Sequence, residues 1–226
     1  MKIAILSHWH TGSTLLAKQF KACGMEVGNA DTLWIPETCT AQCEHSFLNQ
    51  MGNEFLLKKM SRDAMEVQVE RVLKSYVFEA EKNGWEHFGI KVTHALQREC
   101  WPIFKAVFDR IWGNVVYVTT VRHISGIFRS TRNDPKWSKP RILTSVESCE
   151  EGLGYVNNKG HVFYYPNDWL NGRVRKKIDK IGLKWNEEAE SLFDADRQHT
   201  FTEKELMEES FFLTRWDATC LGGNYE

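Results

Sequence analysis

The chain has 226 residues, 42% of them hydrophobic and 12% aromatic, with 29 Lys and Arg set against 30 Asp and Glu. That suits one sizeable α/β domain, residues 1–226, with apolar material enough for a core. A formal net charge of −1 creates no field to gather nucleic acid or a membrane surface, and no apolar run approaches the ~18 residues of a membrane-spanning helix.

Lys2 to Leu6 is an apolar run of strand length, and Leu15 to Cys23 reads as a helix stopped at Gly24. Between them lies a small polar turn, Ser7-His8-Trp9-His10-Thr11-Gly12-Ser13-Thr14. A strand, a tight polar loop and a helix N-terminus together make an anion site, because first-turn N–H groups and the helix dipole face the loop. Gly12 lets backbone come close to a ligand, and Thr11, Ser13 and Thr14 add hydroxyl donors. The nucleoside-triphosphate form of this loop, G-x-x-x-x-G-K-[ST], is absent: Ser7 stands at its first Gly and Ser13 at its Lys. The four apolar residues Ile3 to Leu6 are too few for the centre of a signal peptide, so a cytoplasmic location is expected. Six scattered cysteines then read as free thiols. Cys39, Cys43 and His45, with His8 and His10 as further ligand types, match no closed zinc spacing, and no metal is expected.

Met25 to Gly28 is a short strand candidate, and residues 29–45 are irregular, an excursion suited to covering a substrate cleft. Helices are expected over 46–57 and 62–82, the second with Ala64, Val67, Val72, Tyr76 and Ala80 as its apolar stripe. His87 to Val92 and Asn114 to Val121 are buried-strand runs, followed by helices over 96–110 and 124–132. Residues 134–160 read as loop, 161–165 as a strand, 169–181 as a helix capped by Gly182, and 203–211 as a last short helix. Strands alternating with helices argue for a three-layer, doubly wound parallel sheet, whose ligands sit at the carboxyl ends of strands. Three such ends converge: Ser7–Thr14, Lys91–His94 and Arg122–Ser130.

These segments resemble those of sulfotransferases. The loop from Ser7 to Leu16 is similar to that family's 5′-phosphosulfate-binding loop, close to T-Y-P-K-S-G-T-T-W-L. Val118 to Ser130 resembles its 3′-phosphate segment, a strand ending in Arg with a Ser eight residues on, here Arg122 and Ser130. Ile90-Lys91-Val92-Thr93-His94 resembles the I-K-T-H segment that carries a catalytic His, with one residue inserted. Tyr165 to Leu170, then Gly182-Leu183, resembles Y-E-D-L…GL. The resemblance spans about residues 1–185 in chain order.

It implies a P-loop-like sulfotransferase architecture and transfer of a sulfuryl group from 3′-phosphoadenosine 5′-phosphosulfate (PAPS), without a metal, to a hydroxyl or amine of a small molecule or glycan. His10, Thr11, Gly12, Ser13 and Thr14 are then expected at the 5′ end of the donor, and Arg122 with Ser130 at the 3′-phosphate. His94 is the expected general base, against the alternative of a strand-end histidine bonded to backbone. Lys91 either neutralises the leaving phosphate or points into solvent. His10 stands where the family has Lys or Arg; packed against phosphates its pKa would be raised, so it would be charged below that pKa and lose charge as pH climbs past neutral. His8 is a second candidate base. Arg129, Arg197 and Arg215 are candidate phosphate contacts, Arg132 reads as a solvated residue on the same helix, and Trp9 and Trp34 stack on a ligand or pack the core. Two readings compete with this one: a kinase-like nucleotide-binding protein, and a non-catalytic anion-binding domain.

Overall fold

The computed structural model describes residues 1–27, 43–131 and 138–194. Expectations on Trp34, Cys39, Arg132, Arg197, Arg215, Cys220 and the helix at 203–211 lie outside the described residues. The elements in chain order are β1 Lys2–Leu6, α1 Ser13–Ala22, α2 Ser46–Leu56, α3 Arg62–Asn83, β2 Phe88–Val92, α4 Trp101–Ile111 and β3 Val115–Val121. They continue with α5 Ile124–Thr131, α6 Lys139–Ser148, α7 Glu150–Lys159, β4 His161–Tyr164, α8 Asn167–Leu170, α9 Arg173–Ile181 and α10 Glu187–Ser191.

The described strands form one parallel sheet in the order β2-β1-β3-β4. Side chains alternate along β1, and each set enters its own core. Ala4 and Leu6 pack with α2, α3, α4, α6 and α7. Ile3 and Ile5 pack with α1, α9 and α10. Both faces are thus covered by helices, as a parallel sheet requires. The second core is also pinned by polar bonds: Trp169 Nε1 donates to Gln19 Oε1 at 2.7 Å, and Gln19 Nε2 donates to the Ala189 carbonyl at 3.0 Å.

Register decides what meets at the rim. Leu6 pairs with Val92, so β1 and β2 end level. Ile5 pairs with Val118, whereas β3 runs on to Val121. The end of β3 therefore overhangs β1 and stands beside the loop that follows it.

Several elements differ from the sequence expectation. Met25 to Val27 forms no strand; Glu26 makes one isolated bridge to Phe88. The buried stripe of α3 is Met65, Val69, Val72, Leu73, Tyr76 and Ala80, and Val67 is 63% exposed. Helix α4 starts five residues later than residue 96, because Pro102 has no N–H to bond backward and fits only a first turn. Residues 139–159 are two helices, not a loop. Ser138 caps the first by accepting from Arg141 N, Pro140 sits in its first turn, and Ile142, Val146, Leu153 and Val156 are buried at helical spacing. The helix expected over 169–181 is broken at Gly172, which adopts φ 64° between α8 and α9.

Asp168 holds the turn between β4 and α8. Its buried Oδ2 accepts from Tyr164 N at 2.7 Å and from Lys177 Nζ at 2.5 Å. Asp168→Ala removes the carboxylate from the Tyr164 amide and from Lys177, which keeps only the Val162 carbonyl at 2.8 Å, and is expected to cost about 3 kcal/mol. The check is urea unfolding, read as a lower midpoint at unchanged slope.

Candidate functional site

The loop between β1 and α1 turns on two left-handed residues, His10 at φ 60° and Gly12 at φ 87°. For histidine this conformation is strained; for glycine it is not. Gly12 is also the N-cap position of α1, and no side chain caps that helix. A helix start without a side-chain cap, entered through left-handed backbone, turns N–H groups toward the loop and suits an anion. Gly12 is required for a second reason: a Cβ there would lie 2.4 Å from Cδ2 of Tyr165, whose ring packs against the loop.

The strand ends supply the loop's surroundings. Arg122, directly after β3, donates Nη1–H to the His10 carbonyl at 3.2 Å and lies over the Tyr165 ring at 5.2 Å. Ser130, in the last turn of α5, has its Oγ 3.2 Å from His10 Nδ1. The eight-residue interval between Arg122 and Ser130 is thus bridged by a helix running back along the rim, and both reach the same loop residue. Arg122 is 7% exposed, and burial lowers its pKa, with like charge on Arg129 acting the same way and Tyr165 opposing. An arginine still keeps its proton, so the loop is flanked by a partly desolvated cation.

Lys91 does not point into solvent. It is 2% exposed, and its Nζ donates to Thr14 Oγ1 at 2.9 Å and to Glu44 Oε1 at 2.8 Å. Glu44 in turn accepts from Asn49 Nδ2, and Asn49 Oδ1 accepts from Thr93 N, so β2, α1 and α2 are tied by one polar chain. Thr11, expected as a hydroxyl donor to a ligand, spends its side chain on the loop. It is fully buried, donating to the His8 carbonyl at 2.7 Å and meeting Thr120 Oγ1 at 2.7 Å. Its backbone is what it can offer a ligand. Ser13 is buried in the first turn of α1.

Two histidines stand against Trp9. The Trp9 ring meets His8 edge-on at 5.1 Å and His94 edge-on at 4.7 Å. His94 is not the backbone-bonded strand-end residue of the alternative reading, because its buried Nδ1 has no hydrogen-bond partner. Helix α2 reaches it through Gly52, where a Cβ would lie 2.7 Å from the His94 Cβ. Burial pushes the His94 pKa down to about 4. Burial likewise takes His8 down to about 4, with His10 and His94 adding repulsion and the Trp9 carbonyl opposing. Both rings are therefore neutral proton acceptors at neutral pH.

Among the described residues no group of three or more His, Cys, Asp and Glu could hold a metal ion. Cys43 is buried with a raised pKa, and His45 serves as the cap of α2, its Nδ1 accepting from Leu48 N. Burial pushes Cys100 and Cys149 up to about 12, so neither is a thiolate at neutral pH. No described helix is long and apolar enough to cross a membrane.

The sequence alone assigns no role to Tyr165, Glu44, Asn49 or Ser145. Tyr165 lies inside the segment that resembles Y-E-D-L, and its place three residues ahead of Asp168 is the available signal. Glu44 falls in a stretch with no periodicity, and Ser145 falls in a stretch that reads as loop.

A parallel α/β sheet with a polar turn and helix start at its carboxyl rim defines a class of nucleotide- and anion-binding folds. No family model matches the chain, and no curated protein matches it. Among solved structures it is similar to the sulfotransferase domain from the Synechococcus PCC 7002 olefin synthase. That likeness has a TM-score of 0.54 and 14% identity, over 96% of this chain and 88% of that domain. The fold is sulfotransferase-like.

The lowered pKa values of His8 and His94 carry a sign for stability. Between pH 6.5 and about 4 the unfolded chain binds protons that the folded chain refuses, so stability falls as pH drops through that window. His161, lowered by burial and by Lys180 and Lys177, acts in the same direction. Melting temperature is expected to fall steadily from pH 6.5 to 4, and more shallowly in His8→Asn and His94→Asn, as followed by circular dichroism.

Proposed function

We propose that residues 1–226 form a sulfotransferase that moves a sulfuryl group from PAPS to a hydroxyl or amine of a small molecule or glycan, without a metal ion. The observation that carries this reading is the meeting, at one loop, of the two segments expected to bind anions. Arg122 bonds the His10 carbonyl, and Ser130 bonds the His10 ring. A donor with phosphates at both ends of one nucleoside needs two such sites close together, and a single-phosphate ligand does not.

Each residue then has a job that its position permits. Backbone N–H groups from His10 to Thr14 hold the 5′ end, and the Ser13 and Thr14 hydroxyls lie at the same helix start. Lys91, bonded to Thr14, neutralises charge that builds on the leaving phosphate. Arg122 and Ser130 hold the 3′-phosphate, with Arg129 adding positive potential. A neutral imidazole at the rim takes the acceptor's proton; the order of segments assigns this to His94, and the loop offers His8.

Thermal denaturation tests the donor. Adenosine 3′,5′-bisphosphate at about 100 times its Kd, with no Mg2+, is expected to raise the melting temperature by roughly 5–10 °C. Arg122→Ala should lose most of that rise. A rise with ATP and Mg2+ alone would move the protein to the kinase-like reading, and none with either would leave a binding domain without this chemistry. Titrating the bisphosphate against pH checks His10: affinity is expected to weaken as pH climbs past neutral, where an imidazolium at this position loses its charge. A flat profile, or His10→Ala binding like the unaltered protein, removes His10 from the site.

A further inference from the structure

One imidazole at the rim has both nitrogens committed. His8 Nδ1 lies 2.9 Å from the Trp9 carbonyl oxygen, and His8 Nε2 lies 3.0 Å from Ser145 Oγ. A carbonyl can only accept, so Nδ1 carries the proton. In the neutral ring Nε2 then has only its lone pair to offer, and the Ser145 hydroxyl must be the donor. Hydroxyl, base and orienting carbonyl stand in the arrangement that activates a hydroxyl. His94 lacks such a fixed tautomer, since its buried Nδ1 meets no partner. His8 is 1% exposed, whereas Ser145, on α6, is only half-buried, so the hydroxyl is the member a substrate can reach. His8 belongs to the loop that leads, two residues on, to His10.

We infer that Ser145 is a catalytic residue that receives the acceptor's hydroxyl proton and passes its own to His8. This rests on the sulfuryl-transfer reading and moves the role of base from His94 to His8. In the step, the acceptor oxygen forms a bond to sulfur, and the bond from sulfur to the 5′-phosphate oxygen breaks, its electron pair staying on the phosphate. The acceptor's proton goes to Ser145 Oγ as the Ser145 proton goes to His8 Nε2. His8 becomes an imidazolium whose Nδ1–H still points at the Trp9 carbonyl. After product leaves, the proton returns through the same hydroxyl to water.

Water, a hydroxyl donor that is always present, serves as the acceptor in the test: PAPS is hydrolysed to adenosine 3′,5′-bisphosphate and sulfate, and the bisphosphate is quantified. Ser145→Ala and His8→Asn are each expected to slow hydrolysis about 100-fold. Ser145→Thr should retain most of the rate, and Thr144→Ala on the same helix should leave it unchanged. Stabilisation by the bisphosphate should persist in every variant, which separates a lost proton path from a lost donor site. The groups facing His8 include His10, His94, the Trp9 ring and carbonyl, and the Ser145 hydroxyl. At saturating PAPS the rate of the unaltered protein should fall on the acid side, and that limb should vanish in His8→Asn. Rates in Ser145→Ala and His8→Asn within threefold of the unaltered protein, with stabilisation intact, overturn the relay. Hydrolysis by the unaltered protein no faster than in buffer overturns it too. Absence of stabilisation in the unaltered protein overturns the donor reading and the relay with it.

Discussion

Between the last residue of β1 and the first turn of α1 the chain must reverse within six residues, and it does so through two left-handed positions, His10 and Gly12. A histidine in that conformation costs about 1 kcal/mol or more and persists only if neighbours hold it. They do: Arg122 bonds its carbonyl, Ser130 bonds its ring, and the next residue, Thr11, is fastened to the His8 carbonyl and to Thr120 of β3. The loop's shape is thus held by β3 and α5 as well as by its own Thr11 and Gly12. A loop already held in one shape would lose little entropy on taking a ligand.

The same geometry organises charge. The overhang of β3 brings Arg122 level with the loop, and the level ends of β1 and β2 bring Lys91 to Thr14 on the other side. The two cations flank the helix start and are buried to different effect. Lys91 is paired with Glu44; Arg122 bonds the His10 carbonyl and lies over the Tyr165 ring. Behind them the imidazoles of His8 and His94 are kept neutral by burial. On the proposed function, these cations and neutral imidazoles would serve to move an anionic group onto a hydroxyl.

Much of this is legible in the residues themselves. β1, β2 and β3 are short apolar runs between turn residues, and the runs match the observed strands to within one residue at each end. Their parallel pairing follows from the alternation with helices, and the rim from the pairing. The register is not legible, so no spacing reveals that Arg122 meets His10 rather than the end of β1. Residues 139–159 look like loop because Lys, Ser and Gly are prominent there, yet Gly152 serves to let Leu96 approach, its Cβ position lying 2.9 Å from the Leu96 carbonyl. The same loop-like composition conceals Ser145. Thr11 misleads for the opposite reason: a hydroxyl beside a glycine looks available, and only the position of Thr120 shows where it is spent.

The aromatic ring of Tyr165 and the bare Cα of Gly12 occupy each other's clearance. Because Asp168 and Lys177 anchor the turn that carries Tyr165, the ring has little freedom to retreat. The two positions, far apart in the chain, therefore behave as one unit of inheritance. A lineage could enlarge residue 12 only after shrinking residue 165, and in doing so it would strip the Arg122 guanidinium of the surface it lies on.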